Sequence, residues 1–478
     1  MSLQPLPMAE RKAVLRFRQS KLEIGSDNEI AEQLCAELSR EFEHVVHDLG
    51  EIHVWSSDHW RRLDRADMLE RIRRFDGIRP AEGRRVQLNR ARIDSIRYIV
   101  DGILDHPGFF DIAPIGINCR NGFVTFDAEG SPSLAAHHPS QRQLHRLDGR
   151  WTAAAIKLPE ASLLGRLLAG CFRGDLDAQD KINILAEAAG AAALGISTRL
   201  ASPKAVILFG PKAENGKSQV LDLLRALLPE TAHTAVSPAR IGDDRYAVQL
   251  AGPLLNATDE LGETAIFSDG FKSAVTGDWM TGRDVYRSAV RFRPRALHML
   301  ACNALPAFRG GMDAGVRRRL LVITFNRRIP ETERIEGLGR LVGQQEPDLL
   351  LAWAIAGASR LLRRSSFPDL ASSREAIGEW ILCSDPVGGW LQDRDEVDIT
   401  GDPSHVVHSK AAYVRFRLWA NGEGLAPAHI PAKAQFTQRV GSSGLPGVST
   451  PRRAKGHVFV GMRLAGQGAR DDSAVNGA

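Results

Sequence analysis

Apolar residues near the start of the chain recur at helical spacing. After a candidate N-cap at Ser26 or Asp27, this pattern continues to Leu49 and predicts one amphipathic helix. Downstream, residues 52–60 predict two short strands around a polar turn. The expected buried face of the helix consists of Ile30, Leu34, Leu38, Phe42 and Val45.

Two further helices and a hairpin are expected in the same region. Apolar spacing predicts helices near residues 67–75 and 87–104. Residues 115–126 predict a β-hairpin that turns at Asn121-Gly122, because Asn-Gly is a strong signal for a tight turn. We therefore interpret residues 1–150 as a mainly helical α+β scaffold.

The pattern is helical on both sides of the central region. Residues 151–200 are rich in Ala and Leu and predict a helical collar, and residues 331–391 predict a helical extension. The Gly, Asp and Pro content of residues 385–403 indicates a linker. The expected division is a scaffold (1–150), a collar (151–200), an α/β core (201–330), a helical extension with linker (331–395), a basic C-terminal domain (396–464) and a flexible tail (465–478).

At the centre of the chain, the pattern predicts a buried strand, a glycine-bounded loop and a helix. Residues 205–209 are uniformly apolar, and an apolar stripe at helical spacing follows Ser218. This order is that of a phosphate-binding P-loop: Gly210 and Gly216 turn backbone amides inward, Lys217 reaches the outer phosphates, and the Ser218 hydroxyl ligates Mg²⁺. Five residues separate the glycines, one more than the usual motif has. The alternative is a chance Gly-Lys-Ser at a helix start.

Two apolar strands after the loop end in polar residues. The first, Pro253–Glu260, suits Asp259 for holding Mg²⁺ through water and Glu260 for polarising the attacking water. A solvated strand end is the alternative. The second, Ala296–Asn303, ends beside the expected γ-phosphate position, where Asn303 orients water, senses the phosphate or merely starts a turn.

Three consecutive arginines, Arg317 to Arg319, precede another apolar strand. Such a run is usually a solvated patch or one that faces nucleic acid. A guanidinium at a strand edge can also reach the γ-phosphate bound to a neighbouring subunit. Both interpretations remain open from the residues alone.

Composition narrows the class of protein. Of 478 residues, 43% are hydrophobic and 25% are charged, and no apolar run approaches the ~20 residues of a membrane span. With no export signal in the first dozen residues, we expect a cytoplasmic protein with no membrane contact. The five cysteines are scattered singly, which predicts reduced core thiols. The net charge of +5 is carried from Gly401 onward, where ten Lys/Arg face four Asp/Glu, and this favours polyanion binding.

Taken together, these motifs closely resemble the superfamily 3 helicase domain of phage and plasmid primase-helicases. Upstream, Trp55, Trp60 and residues 117–123 weakly resemble the region before the helicase in poxvirus-type members. Downstream, Tyr413, Trp419 and a basic wing resemble the C-terminal winged helix of the family. The motifs that carry the resemblance are Gly210–Ser218 with Asn215 before Gly-Lys-Ser, Asp259-Glu260, Phe271–Arg287, Phe292–Pro294, Ala301–Pro306 and Arg318–Phe325.

The resemblance implies an α/β, P-loop AAA+-like ATPase core that works as a ring, usually a homo-hexamer, with ATP and Mg²⁺ bound between neighbours. In this chain Arg317 stands where many members have an aromatic residue, which leaves the choice of arginine finger open. The matching positions are Gly210, Asn215, Gly216, Lys217 and Ser218 for the nucleotide, Ser218 and Asp259 for Mg²⁺, Glu260 and Asn303 for hydrolysis, and Arg318 or Arg319 for the finger.

DNA is the implied partner. A hairpin within residues 272–291 is expected to touch single-stranded DNA in the ring channel, and the basic wing is expected to contact duplex DNA. For each basic cluster, a solvated face is the alternative. The candidate contacts are Lys272, Arg283 and Arg287 in the hairpin and Arg452, Arg453 and Lys455 in the wing.

We therefore interpret the chain as an ATP-dependent replicative DNA helicase of a phage, plasmid or integrated element. No carboxylate cluster suited to primer synthesis precedes the core, so a separate primase or replication protein is a potential partner. The alternative is a nucleotide-regulated initiator that binds origin DNA without processive unwinding. A small-molecule P-loop kinase is disfavoured, because the Asn303 strand and the arginines follow the order of a motor and a basic terminal domain has no obvious use in a kinase.

Overall fold

A computed structural model describes residues 22–153, 158–259, 266–283, 289–306, 308–309, 314–425, 427, 430–454 and 456–465. The chain divides into two compact units. The first comprises Met1–Asp127, Ser131–Ala154 and Val290–Phe292, and the second comprises Ala128–Gly130, Ala155–Ala289 and Arg293–Ala478. A helix with the length and apolarity of a membrane span is not found among the described residues.

Helices and strands are interspersed along the described residues. The α-helices are α1 (Asp27–Phe42), α2 (Arg65–Arg73), α3 (Arg90–Ile103), α4 (Leu163–Phe172), α5 (Ala178–Leu194), α6 (Lys217–Leu227), α7 (Asp244–Ala247), α8 (Ser268–Thr276), α9 (Ala314–Arg317), α10 (Leu338–Gln345), α11 (Pro347–Arg364), α12 (Ala371–Ser384), α13 (Pro386–Gln392), α14 (Ser409–Gly422) and α15 (Lys433–Gly441). The strands are β1 (Val45–Asp48), β2 (Glu51–Trp55), β3 (Trp60–Arg62), β4 (Ile117–Cys119), β5 (Gly122–Phe126), β6 (Pro132–Ala135), β7 (Ala205–Phe209), β8 (His233–Thr234), β9 (Leu255–Thr258), β10 (Ile266–Phe267), β11 (Met280–Gly282), β12 (Val290–Phe292), β13 (Leu297–Cys302), β14 (Phe308–Arg309), β15 (Leu320–Thr324), β16 (Val397–Ile399), β17 (Val406–His408), β18 (Arg452–Arg453), β19 (Gly456–Val460) and β20 (Met462–Leu464).

In the first unit, helices α1 and α3 bury their apolar faces with residues of β2. Ser26 caps α1 as predicted, because its hydroxyl oxygen accepts a hydrogen bond from the Glu29 backbone N–H at 3.2 Å. However, α1 ends at Phe42, and Glu43 adopts a left-handed φ of 63°. The predicted helix to Leu49 is therefore too long, because Val45 begins strand β1 and pairs with Val54.

Both hairpins predicted in this unit form. Strands β2 and β3 join around the polar turn, with Trp55 opposite Trp60. In the second hairpin, Cys119 pairs with Gly122, so the turn lies at Arg120-Asn121 and the predicted turn at Asn121-Gly122 is wrong by one residue. The Asn-Gly signal located the hairpin but not its register.

A five-stranded parallel sheet forms the centre of the second unit, in the order β15–β7–β13–β9–β8. The apolar strand predicted at residues 205–209 is β7, which lies between β13 and β15. Its sequence is a continuous apolar run because the strand is buried on both faces, as is usual in parallel sheets. The α/β prediction is thus confirmed at the level of this sheet. The apolar stripe of α6 is buried as predicted and consists of Val220, Leu221, Leu224 and Leu227, and Leu228, which was predicted to belong to it, is buried just after the helix ends.

Helix α5 precedes the strands of this sheet in the chain and α11 follows them, and the two helices cross with their backbones in contact. A Cβ on Gly357 of α11 would overlap the Ala186 carbonyl oxygen of α5. A Cβ on Gly190 of α5 would likewise overlap the Ala358 amide of α11. Only glycine fits at these two crossing positions without moving one helix.

The C-terminal part of the second unit packs around an aromatic core. Phe416, Trp419 and Phe436 are buried, and Tyr413 packs against them. The basic hairpin follows, with β18 paired to β19. In the same cluster, Trp390 is fully buried.

The linker predicted over residues 385–403 is wrong. Helix α13 and strand β16 lie in this stretch, and β16 pairs with β20. Trp390 of α13 lies against Phe416 and Phe436, with ring centroids 6.0 and 5.5 Å away. These residues therefore belong to the C-terminal core despite their Gly and Pro content.

Four cysteines are free and buried, as predicted, and the side chain of Cys383 lies outside the described residues. Burial raises the pKa of the Cys171 and Cys302 thiols to about 12. Both thiols are therefore neutral at physiological pH and behave as small apolar side chains. The four buried thiols are Cys35, Cys119, Cys171 and Cys302.

Candidate phosphate-binding site

The glycine loop, residues 210–216, connects the carboxyl end of β7 to the start of α6. The next strand in the chain, β8, is at the far edge of the sheet beyond β13 and β9, whereas β15 pairs with the other side of β7. The strand order therefore reverses at β7. In open parallel sheets, ligands bind outside the carboxyl ends of the strands at such a point.

Close contacts explain why positions 210 and 216 of this loop are occupied by glycine. A Cβ on Gly210 would lie 2.7 Å from the Phe325 carbonyl oxygen and would overlap the Asn215 side-chain amide. Gly216 adopts a left-handed φ of 92° and leaves no room for a Cβ beside the Cys171 sulfur. The loop backbone thus folds tightly onto the sheet and onto α4, which larger residues at these positions would prevent.

Lys217 lies at the centre of the site and is only 7% exposed. Its Nζ donates hydrogen bonds to the Gly210 carbonyl oxygen at 2.8 Å, to Asn303 Oδ1 at 3.0 Å and to Asn215 Oδ1 at 3.1 Å. Asn215 also donates from Nδ2 to the Lys212 carbonyl oxygen at 2.7 Å. The structure therefore brings together four predicted site residues from the loop, α6 and the end of β13.

A cavity of about 1440 Å³ opens beside the loop. The loop residues and Ser218 form one wall, and Ser218 is exposed. Helix α4 and residues 329–338 form other walls. The volume exceeds the roughly 300–1,000 Å³ of typical small-molecule pockets, so a nucleoside triphosphate has room here. The predicted site residues that line it are Asn215, Gly216, Lys217, Ser218 and Asn303.

Glu214, one of the five residues between the two glycines, has partners that the sequence did not reveal. It adopts φ 62°, and its carboxylate accepts hydrogen bonds from Arg334 Nη1 at 2.8 Å, Arg334 Nη2 at 2.6 Å and Arg328 Nε at 2.7 Å. The Arg328 and Arg334 guanidinium groups lower the pKa of Glu214 below its ordinary value. A carboxylate in a phosphate-binding loop needs cations nearby to neutralise its charge. The presence of Glu214 in the loop was the one signal in the sequence that pointed to such partners.

Asp259 is placed away from the loop. It follows β9, which is separated from β7 by β13, and it is not among the residues that line the cavity. Its carboxylate accepts a hydrogen bond from Arg225 Nη2 at 2.7 Å. Among the described residues, no group of three or more His, Cys, Asp or Glu is placed to hold a metal ion. Of the two predicted Mg²⁺ ligands, only Ser218 therefore reaches the cavity, and Glu260 lies outside the described residues.

Arg318 and Arg319 lie at the opposite edge of the sheet from the glycine loop. The Arg319 carbonyl oxygen accepts from the Ala205 backbone N–H at the start of β7, whereas the loop follows the end of β7. Five strand residues at about 3.3 Å each separate the two edges by roughly 15 Å. Arg318 is exposed, but Arg319 is 9% exposed and donates from Nη1 to the Gly315 carbonyl oxygen at 2.7 Å.

The described candidate DNA contacts lie on α8, just after β11 and on β18 of the second unit. Lys272 on α8 pairs with Asp269 at 3.6 Å, and Arg283 is exposed just after β11. Arg452 and Arg453 form strand β18 and are both exposed, opposite His457 and Gly456 of β19. Arg287 and Lys455 lie outside the described residues.

Comparison with known proteins gives a partial family match. A model described as a family of unknown function (DUF5906) matches residues 208–319, which is well under half of the chain. No curated protein matches. Among solved structures, three apo structures of the NrS-1 C-terminal region are similar to this chain, each with a TM-score below 0.5. The first has a TM-score of 0.45 and 13% sequence identity, and the match covers 89% of this chain and 98% of the other. The second has a TM-score of 0.44 and 15% identity, and the match covers 86% of each chain. The third has a TM-score of 0.43 and 12% identity, and the match covers 92% of this chain and 100% of the other.

Proposed function

We propose that the chain is an ATP-dependent DNA helicase that serves replication of a phage, plasmid or integrated element. The observation that carries the proposal is the nearly buried Lys217, whose Nζ donates to three oxygens at the carboxyl end of a parallel sheet, beside a cavity of about 1440 Å³. Strand β7, the glycine loop and α6 are then a P-loop with one extra residue.

In this proposal each site residue acts on one part of the triphosphate. Lys217 exchanges its present oxygens for the β- and γ-phosphates, and the loop amides hold the phosphate oxygens at the start of α6. Ser218 would hold Mg²⁺, which would neutralise charge on the phosphates when it is bound. The predicted role of Asp259 in holding this ion is not kept, because its carboxylate pairs with Arg225 away from the cavity. Glu260 polarises the attacking water, and Asn303 orients it or senses the γ-phosphate.

Arg318 is the better candidate for the arginine finger. It is exposed, whereas the Arg319 guanidinium is largely buried and donates to the Gly315 carbonyl oxygen. Arg318 lies at the amino ends of the parallel strands, whereas the glycine loop lies at their carboxyl ends. Arg318 therefore acts on the nucleotide of a neighbouring subunit rather than on that of its own chain. A ring of identical subunits, expected to be a hexamer, satisfies this requirement at every interface.

We further propose that the C-terminal region is a winged helix that binds duplex DNA. Helices α14 and α15 share one aromatic core with the strands that follow them, and β18, which pairs with β19, carries the exposed Arg452 and Arg453. Contacts of this type are mostly to phosphate and are independent of base sequence. An origin-binding initiator would use the same surface and remains the second candidate function.

An unwinding assay on a forked DNA duplex distinguishes a helicase from an origin-binding initiator. The full chain is incubated with a labelled fork, with and without ATP and Mg²⁺, while ATP hydrolysis is measured in parallel. A helicase separates the strands only when ATP is hydrolysed, and a Lys217→Ala chain does neither. DNA binding that responds to ATP without strand separation would favour the initiator, and absence of ATP binding by the wild-type chain would contradict the proposal.

A further inference from the structure

Glu214 places a negative charge in the loop where the proposed function puts a triphosphate. It is the one acidic residue between Gly210 and Gly216, and it lines the same cavity wall as Lys217. A carboxylate here would repel phosphate unless cations compensate it. Arg328 and Arg334 supply that compensation, because both guanidinium groups lie within 2.7 Å of a Glu214 oxygen.

The same contacts fix the shape of the loop. The Glu214 carbonyl oxygen accepts from the Ile329 backbone N–H at 2.9 Å, so backbone and side chain both attach to the same segment. Glu214 holds a left-handed φ of 62°, which is uncommon for a residue with a side chain. A glycine would adopt this conformation more readily, so the conformation alone does not explain a glutamate here.

The segment that binds Glu214 also reaches the opposite wall of the cavity. We name residues 327–334 the arginine strap. At its start, Arg327 donates from Nη1 to the Gly170 carbonyl oxygen of α4 at 2.6 Å. Arg327 and Arg173 also pair with Glu333 at 2.8 and 3.1 Å. The strap is therefore attached to α4 on one side and to the glycine loop on the other.

We propose that Glu214 is a positioning residue for the nucleotide: its ion pairs with Arg328 and Arg334 fasten the glycine loop to the arginine strap and set the spacing of the cavity walls. The inference rests on the proposed function, because it assumes a nucleotide in the cavity. A single exposed ion pair contributes little, but here one carboxylate serves two arginines, and one of them binds it with both Nη atoms.

Nucleotide binding is the quantity that tests this inference. Equilibrium affinity for fluorescently labelled ATP is measured for the wild-type chain, Glu214→Gln, Glu214→Gly and Arg334→Gln, and kcat and KM are measured for ATP hydrolysis. We expect each variant to bind ATP roughly threefold to tenfold more weakly, with KM rising and kcat nearly unchanged.

The glycine variant makes the test decisive. It relieves the left-handed conformation but removes the ion pairs, so a role limited to backbone shape predicts unchanged or tighter binding. That result would overturn the inference. Glu70→Gln, an exposed glutamate on α2, is the control and should bind ATP as the wild-type chain does. If the wild-type chain itself does not bind ATP, the proposed function fails; if it binds and Glu214→Gln binds equally well, only the positioning role fails.

Discussion

Lys217 is the residue on which the proposed chemistry depends most. Replacing it with Ala removes the ammonium group that now donates to Gly210, Asn215 and Asn303. No hydrolysis of ATP should remain, because nothing else in the loop is expected to supply this charge to the outer phosphates. The measurement is steady-state ATPase activity, with circular dichroism as a check that the fold is intact.

A second lysine provides the control for this substitution. Lys410 is exposed on α14, so Lys410→Ala should keep the basal ATPase activity. ATP turnover by Lys217→Ala at the wild-type rate would show that residues 205–227 are not a P-loop.

The predicted site residues that the structure brings together are mostly those close together in the chain. Gly210, Asn215, Gly216 and Lys217 follow one strand, so their pattern alone indicates a shared site. By contrast, Glu214 meets Arg334 across 120 positions of the chain, which no local pattern reveals. The sequence likewise predicted Asp259 as a Mg²⁺ ligand but could not foresee its pairing with Arg225, for the same reason.

At the scale of elements, the crossing of α5 and α11 should be sensitive to a single methyl group. Gly357→Ala places a Cβ against the Ala186 carbonyl oxygen and must push the two helices apart. Overpacking of this kind costs about 1–3 kcal/mol, so the free energy of unfolding should fall by that amount. Urea denaturation followed by circular dichroism measures it.

The matched control is another glycine inside a helix of the same unit. A Cβ on Gly378 of α12 would have nothing within 4 Å, so Gly378→Ala should stabilise the chain by roughly 0.5–1 kcal/mol. Equal effects of the two substitutions would mean that α5 and α11 do not touch at Gly357.

The hairpin of β18 and β19 should contribute most of the salt dependence of duplex binding. Each phosphate contact adds about −0.9 to the slope of log affinity against log salt. Replacing Arg452, Arg453 and Lys455 with Ala should therefore flatten the slope by up to roughly 2–3 units. Fluorescence anisotropy with labelled duplex at several NaCl concentrations gives the slope.

An exposed arginine pair in the first unit serves as the control here. Arg84 and Arg85 are both exposed, and replacing them with Ala should leave the slope unchanged. A slope that does not respond to the hairpin substitutions would place the duplex contact elsewhere.

Elements were predicted best where one structure alone fits the local pattern. The apolar run at residues 205–209 is short and is followed by Gly210, which favours a buried strand over a helix, and the strand was found with its bounds. Val45 fits both the face of a helix and a strand, and its pairing with Val54 decided between them. Trp390 lies in a stretch rich in Gly and Pro, and its burial against Phe416 depends on residues far along the chain.

For the whole molecule, the positions of Lys217 and Arg318 at opposite edges of one sheet predict a shared active site. Arg318→Ala should lose about 10³-fold or more in ATP hydrolysis while ATP affinity changes much less. Arg319→Ala is the comparison, and its largely buried guanidinium predicts mainly a loss of stability. Activity, affinity and thermal unfolding are measured for both variants.

Mixing the two inactive variants tests the geometry directly. Lys217→Ala subunits retain Arg318, and Arg318→Ala subunits retain Lys217, so co-assembled rings should regain part of the ATPase activity. Co-assembly is verified with two affinity tags. Activity that stays at zero in verified mixed rings would mean that Arg318 acts within its own subunit or on DNA.

If Arg318 completes the active site of a neighbouring chain, as proposed, its separation from Lys217 also determines how many complete sites an assembly contains. A lone chain has none, an open row of n chains has n − 1, and a closed ring has n. Turnover per chain should therefore rise steeply with protein concentration and level off when rings close. Turnover per chain that is constant down to concentrations where sedimentation shows single chains would contradict this count. In the proposed geometry, closing the ring supplies the last complete active site as well as a channel.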